Sequence, residues 1–181
     1  MKCNPQKGET IMYTSVGVVV LAGHTQKKTG AANTILSGTK LSRINVCMDT
    51  ILATGIDDIA VVVNDEQWEV GAALSGYPVC ITVDNGGTDA LDAVDLGIKA
   101  LPGYTTGVIV IALDNPPVLL ENYASLIRFH HQVPRCAVLP GDKRQNNYAA
   151  LFPVASYPAL SKGLMVERLT PRESDQLHAV Q

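Results

Sequence analysis

The sequence predicts an α/β fold: a three-layer α/β/α sandwich around a Rossmann-like, mostly parallel sheet. Three observations carry this expectation. Short Val- and Ile-rich runs recur along all but the ends of the chain, stripes of helical periodicity lie between them, and no long linker or internal repeat interrupts the alternation. At 181 residues with 46% hydrophobic content and 17% charged residues, the chain can bury one sizeable core. The expected layout is an N-terminal extension over residues 1–14, with Met12 as an alternative start, followed by a single domain over 15–181.

The predicted strands are Val16–Leu21, Ile59–Val63, Val79–Val83, Val108–Leu113 and Cys136–Leu139, each apolar on both faces, as in parallel strands covered by helices. The first helical stripe, Leu41, Ile44, Met48, Ile51 and Leu52, ends at Gly55. A second, Leu91, Val94, Ile98 and Leu101, is closed by Pro102-Gly103, and Leu119, Leu120, Tyr123, Leu126 and Ile127 make a third. These stripes are core faces and carry no cofactor meaning. Strands joined by helices in this way imply right-handed crossovers.

Function is expected in the loops at the carboxyl ends of strands, where open α/β sheets bind ligands. After the first strand, Leu21 and Ala22 lead into a small polar loop with Gly23, His24, Lys27, Lys28 and Gly30. Glycines there let backbone N–H groups approach an anion, and the two lysines would neutralise it. An ordinary turn with two solvated lysines has the same composition, and neither G-x-x-x-x-G-K-[ST] nor G-x-G-x-x-G is present. After the third strand, Asp84-Asn85-Gly86-Gly87-Thr88-Asp89 runs into a helix whose Asp89, Asp92 and Asp95 suit its dipole or serve as caps. After the fourth comes Asp114-Asn115-Pro116-Pro117, where Asp114 either binds Mg²⁺ beside a triphosphate or opens a turn that caps the next helix.

Other function classes find less support. A net charge of −3 leaves no electrostatic footprint for nucleic acid. Cys3, Cys47, Cys80 and Cys136 lack C-x-x-C spacing and read as reduced, buried thiols of a cytoplasmic protein. No apolar run approaches a membrane span, and residues 1–10 are too polar for a secretion signal. His130, His131 and His178 lie outside any metal-ligand spacing and read as surface residues.

Taken in order, these segments resemble the nucleotidyltransferases that include the molybdenum-cofactor guanylyl- and cytidylyltransferases and, more distantly, the methylerythritol-phosphate cytidylyltransferases. Their opening motif, L-A-A-G-x-S-x-R-M-G-x-x-K-x-L-L, matches Leu21–Leu36 in length and shape. Without a gap, Lys28 takes the arginine's place, Gly30 keeps the glycine, His24 replaces the loop glycine and Asn33 replaces the lysine. With one insertion, Gly23 falls on the loop glycine, Thr25 on the serine and Lys27 on the arginine. The family's A-x-G-[IV]-x-x-[IV]-x-V-V strand is similar to Ala53–Val63, and G-G-x-x-R-Q-x-S-V-x-x-G-[LI] keeps its spacing in Gly86–Ile98 without the Arg, Gln and Ser. The metal motif D-M-P corresponds to Asp114-Asn115-Pro116, and G-H-P-V-L-F to Asn147–Phe152, so the resemblance spans Val16 to Phe152.

The resemblance implies the nucleotide-diphospho-sugar/NTP transferase variant of the fold. It also implies transfer of CMP or GMP from CTP or GTP to a phosphorylated acceptor of the molybdenum-cofactor type. Lys27 and Lys28 would act on the triphosphate, and Leu21, Ala22, Gly23, His24, Gly30, Asn33, Asn85, Gly86 and Gly87 would hold the nucleotide. Asp114 would ligate Mg²⁺, and Arg144 could contact an acceptor phosphate or sit in a solvated turn. The family's second metal aspartate, in a D-[IV]-D-T-x-x-D segment, has no counterpart after Leu164, where Asp175 is the lone aspartate. Catalysis could therefore be impaired, and the alternative is a non-catalytic nucleotide-binding or assembly subunit. A homo-oligomer stays open.

Overall fold

The computed structural model describes residues 14–22, 37–64, 68–85, 90–113, 115–138 and 149–160. The strands are β1 (Val16–Leu21), β2 (Ile59–Asn64), β3 (Cys80–Asp84), β4 (Gly107–Ala112) and β5 (Ala150–Pro153). The helices are α1 (Ser37–Leu52), α2 (Trp68–Ala73), α3 (Ala90–Ala100), α4 (Leu120–Gln132) and α5 (Tyr157–Leu160). One five-stranded sheet runs in the order β3-β2-β1-β4-β5, parallel except for β5, which returns antiparallel to β4. This is the mostly parallel α/β sheet with interleaved helices expected from the alternation of strand and helix patterns.

Alternation along each strand divides the core between the two faces of the sheet. Val18, Val20, Val61, Ile109 and Ile111 pack with Ile44, Met48 and Ile51 of α1, with Val70 of α2 and with Tyr123 and Leu126 of α4. Val19, Val62, Val108 and Val110 pack instead with Ala93 and Val94 of α3, and with Tyr157 of α5. The Tyr157 hydroxyl donates to the Leu91 carbonyl at 2.9 Å, tying α5 to α3. α1 unwinds through Thr54 and Gly55, and Gly55 takes φ +80°, the left-handed stop its position predicts.

Four expectations are corrected. Cys136–Leu139 does not supply the fifth strand: among its described residues Ala137 and Val138 form isolated bridges, that of Val138 antiparallel to Leu151 of β5, and β5 is what lies beside β4. β3 is not covered on both faces, because it forms the sheet's edge and exposes Cys80, Ile81 and Val83. Cys80 is therefore not a buried thiol, whereas Cys136 is buried and Cys47 half-buried. The stripe of α4 meets the core only from Tyr123 onward: Leu119 and Leu120 are exposed and Val118 is buried ahead of them.

His130 is the fourth correction, since it is fully buried. Successive residues of a helix point about 100° apart, so only one of the His130-His131 pair can face inward. His130 falls seven residues after Tyr123, on the buried stripe, while His131 is exposed. The Thr106 hydroxyl gives its single hydrogen to the Ser15 carbonyl at 2.9 Å and accepts the Ser15 N–H at 3.0 Å. His130 Nε2, 3.1 Å from that oxygen, must then carry the ring proton and donate it, which assigns the tautomer by hydrogen-bond bookkeeping. Nδ1 is left buried without a partner among the described residues.

Burial, and secondarily the charge of His131, pushes the His130 pKa below its ordinary value. Between that lowered value and about 6.5 the unfolded chain binds a proton that the native state refuses, so the contribution of His130 to stability rises with pH across this window and is lost as pH falls through it. Chemical denaturation from pH 7.5 down to 5 should show this slope in the unmodified protein and a flatter one in His130→Gln, which keeps a donor to Thr106 but cannot titrate. Equal slopes would remove His130 from the account.

Candidate functional site

At the carboxyl edge of the sheet, β1 and β4 end side by side. Leu21 is in register with Ala112, Leu113 N–H donates to the Leu21 carbonyl at 2.9 Å, and Ala22 N–H donates to the Val62 carbonyl at 2.9 Å. Leu21, Ala22 and Leu113 are all buried, so the strand ends that launch the two candidate loops are fixed in the core. The strand order also reverses between β1 and β4. β1 is followed by β2 on one side, whereas β4 lies on its other side, and such a switch point opens the crevice used by ligands in α/β sheets.

Of the expected nucleotide residues, Leu21 and Ala22 sit at this switch point. Asn85 is exposed just past β3 at the same edge, roughly 10 Å away across two strand spacings. Gly23, His24, Lys27, Lys28, Gly30, Asn33, Gly86, Gly87 and Asp114 lie outside the described residues, as do Cys3, Arg144, Asp175 and His178. The residues on either side of Asp114 are described: Asn115 N–H donates to the Ala112 carbonyl at 3.0 Å, a turn-type bond at the end of β4. Leu119 occupies the N-cap of α4, with no side-chain hydrogen bond to the cap among the described residues.

Three features were not anticipated from the sequence. Arg43 reaches from α1 across 72 positions and donates from Nη2 to the Asn115 carbonyl at 3.0 Å, fastening the turn after β4 to the helix that follows the β1 loop. Its signal was a cation beside the apolar stripe, one position before Ile44. Arg43, Cys47 and Thr50 line a small pocket of about 30 Å³ with Asn115, Pro116 and Tyr123. Second, the Cys47 thiol in that pocket is pushed up to about 11 by burial, which outweighs the hydrogen bond from Tyr123. A thiol so raised stays protonated at neutral pH, so the pocket offers no cysteine nucleophile. Third, Asp84 is buried at the end of β3 in register with Asn64 of β2, which puts a polar pair at the ligand-facing edge of the sheet.

Among the described residues no group of three or more His, Cys, Asp or Glu side chains could hold a metal ion. The acids of α3 behave as surface charges: Asp92 is exposed in its first turn, and Asp95 pairs with Lys99 one turn on. No helix among the described residues is long and apolar enough to cross a membrane.

No family model and no curated protein matches the chain by sequence. Solved structures match it by fold. The 4-diphosphocytidyl-2C-methyl-D-erythritol synthase of Anaerococcus prevotii is similar at TM-score 0.62 and 16% identity, over 84% of this chain and 77% of that one. HddC of Yersinia pseudotuberculosis, solved with GMP-PN, is similar at 0.56 and 15%, over 82% and 80%. Rv0371C of Mycobacterium tuberculosis, solved in complex with manganese, is similar at 0.55 and 19%, over 85% and 78%.

Proposed function

We propose that the chain binds a nucleoside triphosphate, CTP or GTP, in the crevice between β1 and β4 and transfers its nucleotidyl group to a phosphorylated small molecule, an acceptor of the molybdenum-cofactor type. The observation that supports this reading is the adjacency of the two strand ends. Leu21 and Ala112 are register partners, so the loop carrying Lys27 and Lys28 and the turn carrying Asp114 leave the sheet one strand spacing apart. Cations from one loop and a carboxylate from the next are what a metal-bound triphosphate requires.

In this reading Lys27 and Lys28 neutralise the phosphates and Gly23 and Gly30 admit backbone N–H groups to them, while Asn85, Gly86 and Gly87 contact the nucleoside. Asp114 would hold Mg²⁺, whose contribution when bound is Lewis-acid stabilisation of charge on the phosphate oxygens. A structural neighbour solved with manganese is compatible with a divalent ion here. Arg43 keeps the Asp114 turn in place through the Asn115 carbonyl. A second reading, a nucleotide-binding or assembly subunit without turnover, is favoured by Asn33 in the place of the family's lysine and by the lack of a second metal aspartate pattern after Leu164.

Melting temperatures measured with each of the four nucleoside triphosphates, with and without Mg²⁺, test the site, because a ligand at 100 times its Kd adds about 2.7 kcal/mol. CTP or GTP with Mg²⁺ should give the largest shift. Lys27→Ala combined with Lys28→Ala should weaken that ligand at least about tenfold, or 1.4 kcal/mol, while leaving the melting of the ligand-free protein unchanged. Calorimetry returning the same affinity for the double variant would remove the phosphate site from this loop.

A further inference from the structure

Two hydrogen bonds fasten one face of α1 to the chain that follows β4. Arg43 donates from Nη2 to the Asn115 carbonyl at 3.0 Å, and one turn further along the helix the Cys47 thiol accepts a hydrogen bond from the Tyr123 hydroxyl of α4. Residues four apart share a helix face, so both bonds draw α1 toward the same neighbours. Their places differ. The Tyr123 bond joins helix to helix in the core, whereas the Arg43 bond lies at the carboxyl edge of the sheet, where β4 has just ended.

What Arg43 holds is backbone. Asn115 is bonded through both of its main-chain groups, its N–H to the Ala112 carbonyl and its own carbonyl to Arg43, so the course of the chain at 115 is set whatever its side chain does. Pro116 and Pro117 then fix two φ angles, and Val118 is buried. A hydrogen bond from a charged donor is roughly twice as strong as a neutral one. α1 is in turn the helix into which the β1 loop runs, and Ala112 is the register partner of Leu21. One guanidinium thus joins the far ends of the two loops that leave the crevice.

We propose that Arg43 is a positioning residue of the nucleotide crevice: it presets the spacing between the two loops, so that a triphosphate meets them as one surface. This inference rests on the proposed function. A site that is competent only part of the time binds more weakly by that fraction, and ordering a loop on binding costs affinity. Arg43 acts through the Asn115 carbonyl, and a single N–H makes that contact, which a lysine ammonium can also provide.

Calorimetry with CTP and with GTP, each in Mg²⁺, separates this role from a purely structural one. Arg43→Met keeps the aliphatic stem and removes the donor, and since Arg43 is only half-buried the variant should fold. It should weaken the preferred triphosphate at least about tenfold, and Arg43→Lys should recover most of that loss. Gly107→Ala controls for general loosening, because Gly107 opens β4 at the opposite edge of the sheet and an added Cβ would strain contacts there. Its affinity should equal that of the unmodified protein. Arg43→Met that binds as tightly as the unmodified protein overturns the proposal, and so does Arg43→Lys that binds no better than Arg43→Met. A loss in Gly107→Ala as large as in Arg43→Met overturns it too, since affinity would then follow stability alone. If the unmodified protein binds neither triphosphate, the proposed function falls and this inference with it.

Discussion

Under the proposed function, Asp114→Ala is expected to abolish Mg²⁺-dependent pyrophosphate release, a loss of at least about a thousandfold, because it removes the carboxylate that would hold an ion stabilising charge on the phosphates, worth several kcal/mol. The neighbouring Asn115 cannot take over: its side chain is uncharged, and its backbone carbonyl already accepts the Arg43 guanidinium at 3.0 Å. Stability should hardly change, since the Asn115 N–H bond to the Ala112 carbonyl is a backbone bond that the substitution leaves in place. If basal turnover is too slow to follow, Mn²⁺ affinity in the presence of the preferred triphosphate gives the same information and should fall at least about tenfold. Pyrophosphate release or metal affinity that survives the substitution would place the metal elsewhere.

How much of this was legible depends on what kind of signal each element left. β1 to β4 fall within one residue of the runs that predicted them, because Val and Ile in unbroken succession have few uses other than a buried parallel strand. Position in the sheet left no such trace. Ile81 and Val83 look like core residues in sequence, and only the strand order, with β3 at the end, exposes them. The direction of β5 was equally silent, since hydrophobicity carries no polarity. Of two nearby apolar segments, Ala150–Pro153 pairs with β4, and Val138 contributes a single bridge. His130 was legible and overlooked. It extends the Tyr123, Leu126 and Ile127 stripe by another turn, but a histidine doublet suggests surface unless the two are placed on the helix separately. Arg43 could have been flagged as a cation bordering a buried stripe, but its partner 72 residues away exists only once β4 lies beside β1. The site is therefore readable as a set of loops at strand ends, and the ties between those loops are tertiary.

Gly107→Ala is expected to cost about 2–3 kcal/mol, at the upper end of overpacking penalties, which lowers the melting midpoint of a domain this size by roughly 5–10 °C. A Cβ at Gly107 would stand 2.7 Å from His130 Nε2 and 2.8 Å from both Cδ2 and Cε1, closer than side-chain carbons pack. Neither side can yield easily. Gly107 opens β4 with its N–H on the Ser15 carbonyl at 3.0 Å, while the His130 ring is rigid, fully buried and held through Thr106. The cause can be isolated by a double-mutant cycle. His130→Ala should itself destabilise by leaving a cavity, but with the ring gone the added methyl has room, so Gly107→Ala should then cost little or even recover part of the loss. A cost for Gly107→Ala that is the same with and without the ring would show that strain in β4 itself, and not contact with His130, sets the requirement for glycine.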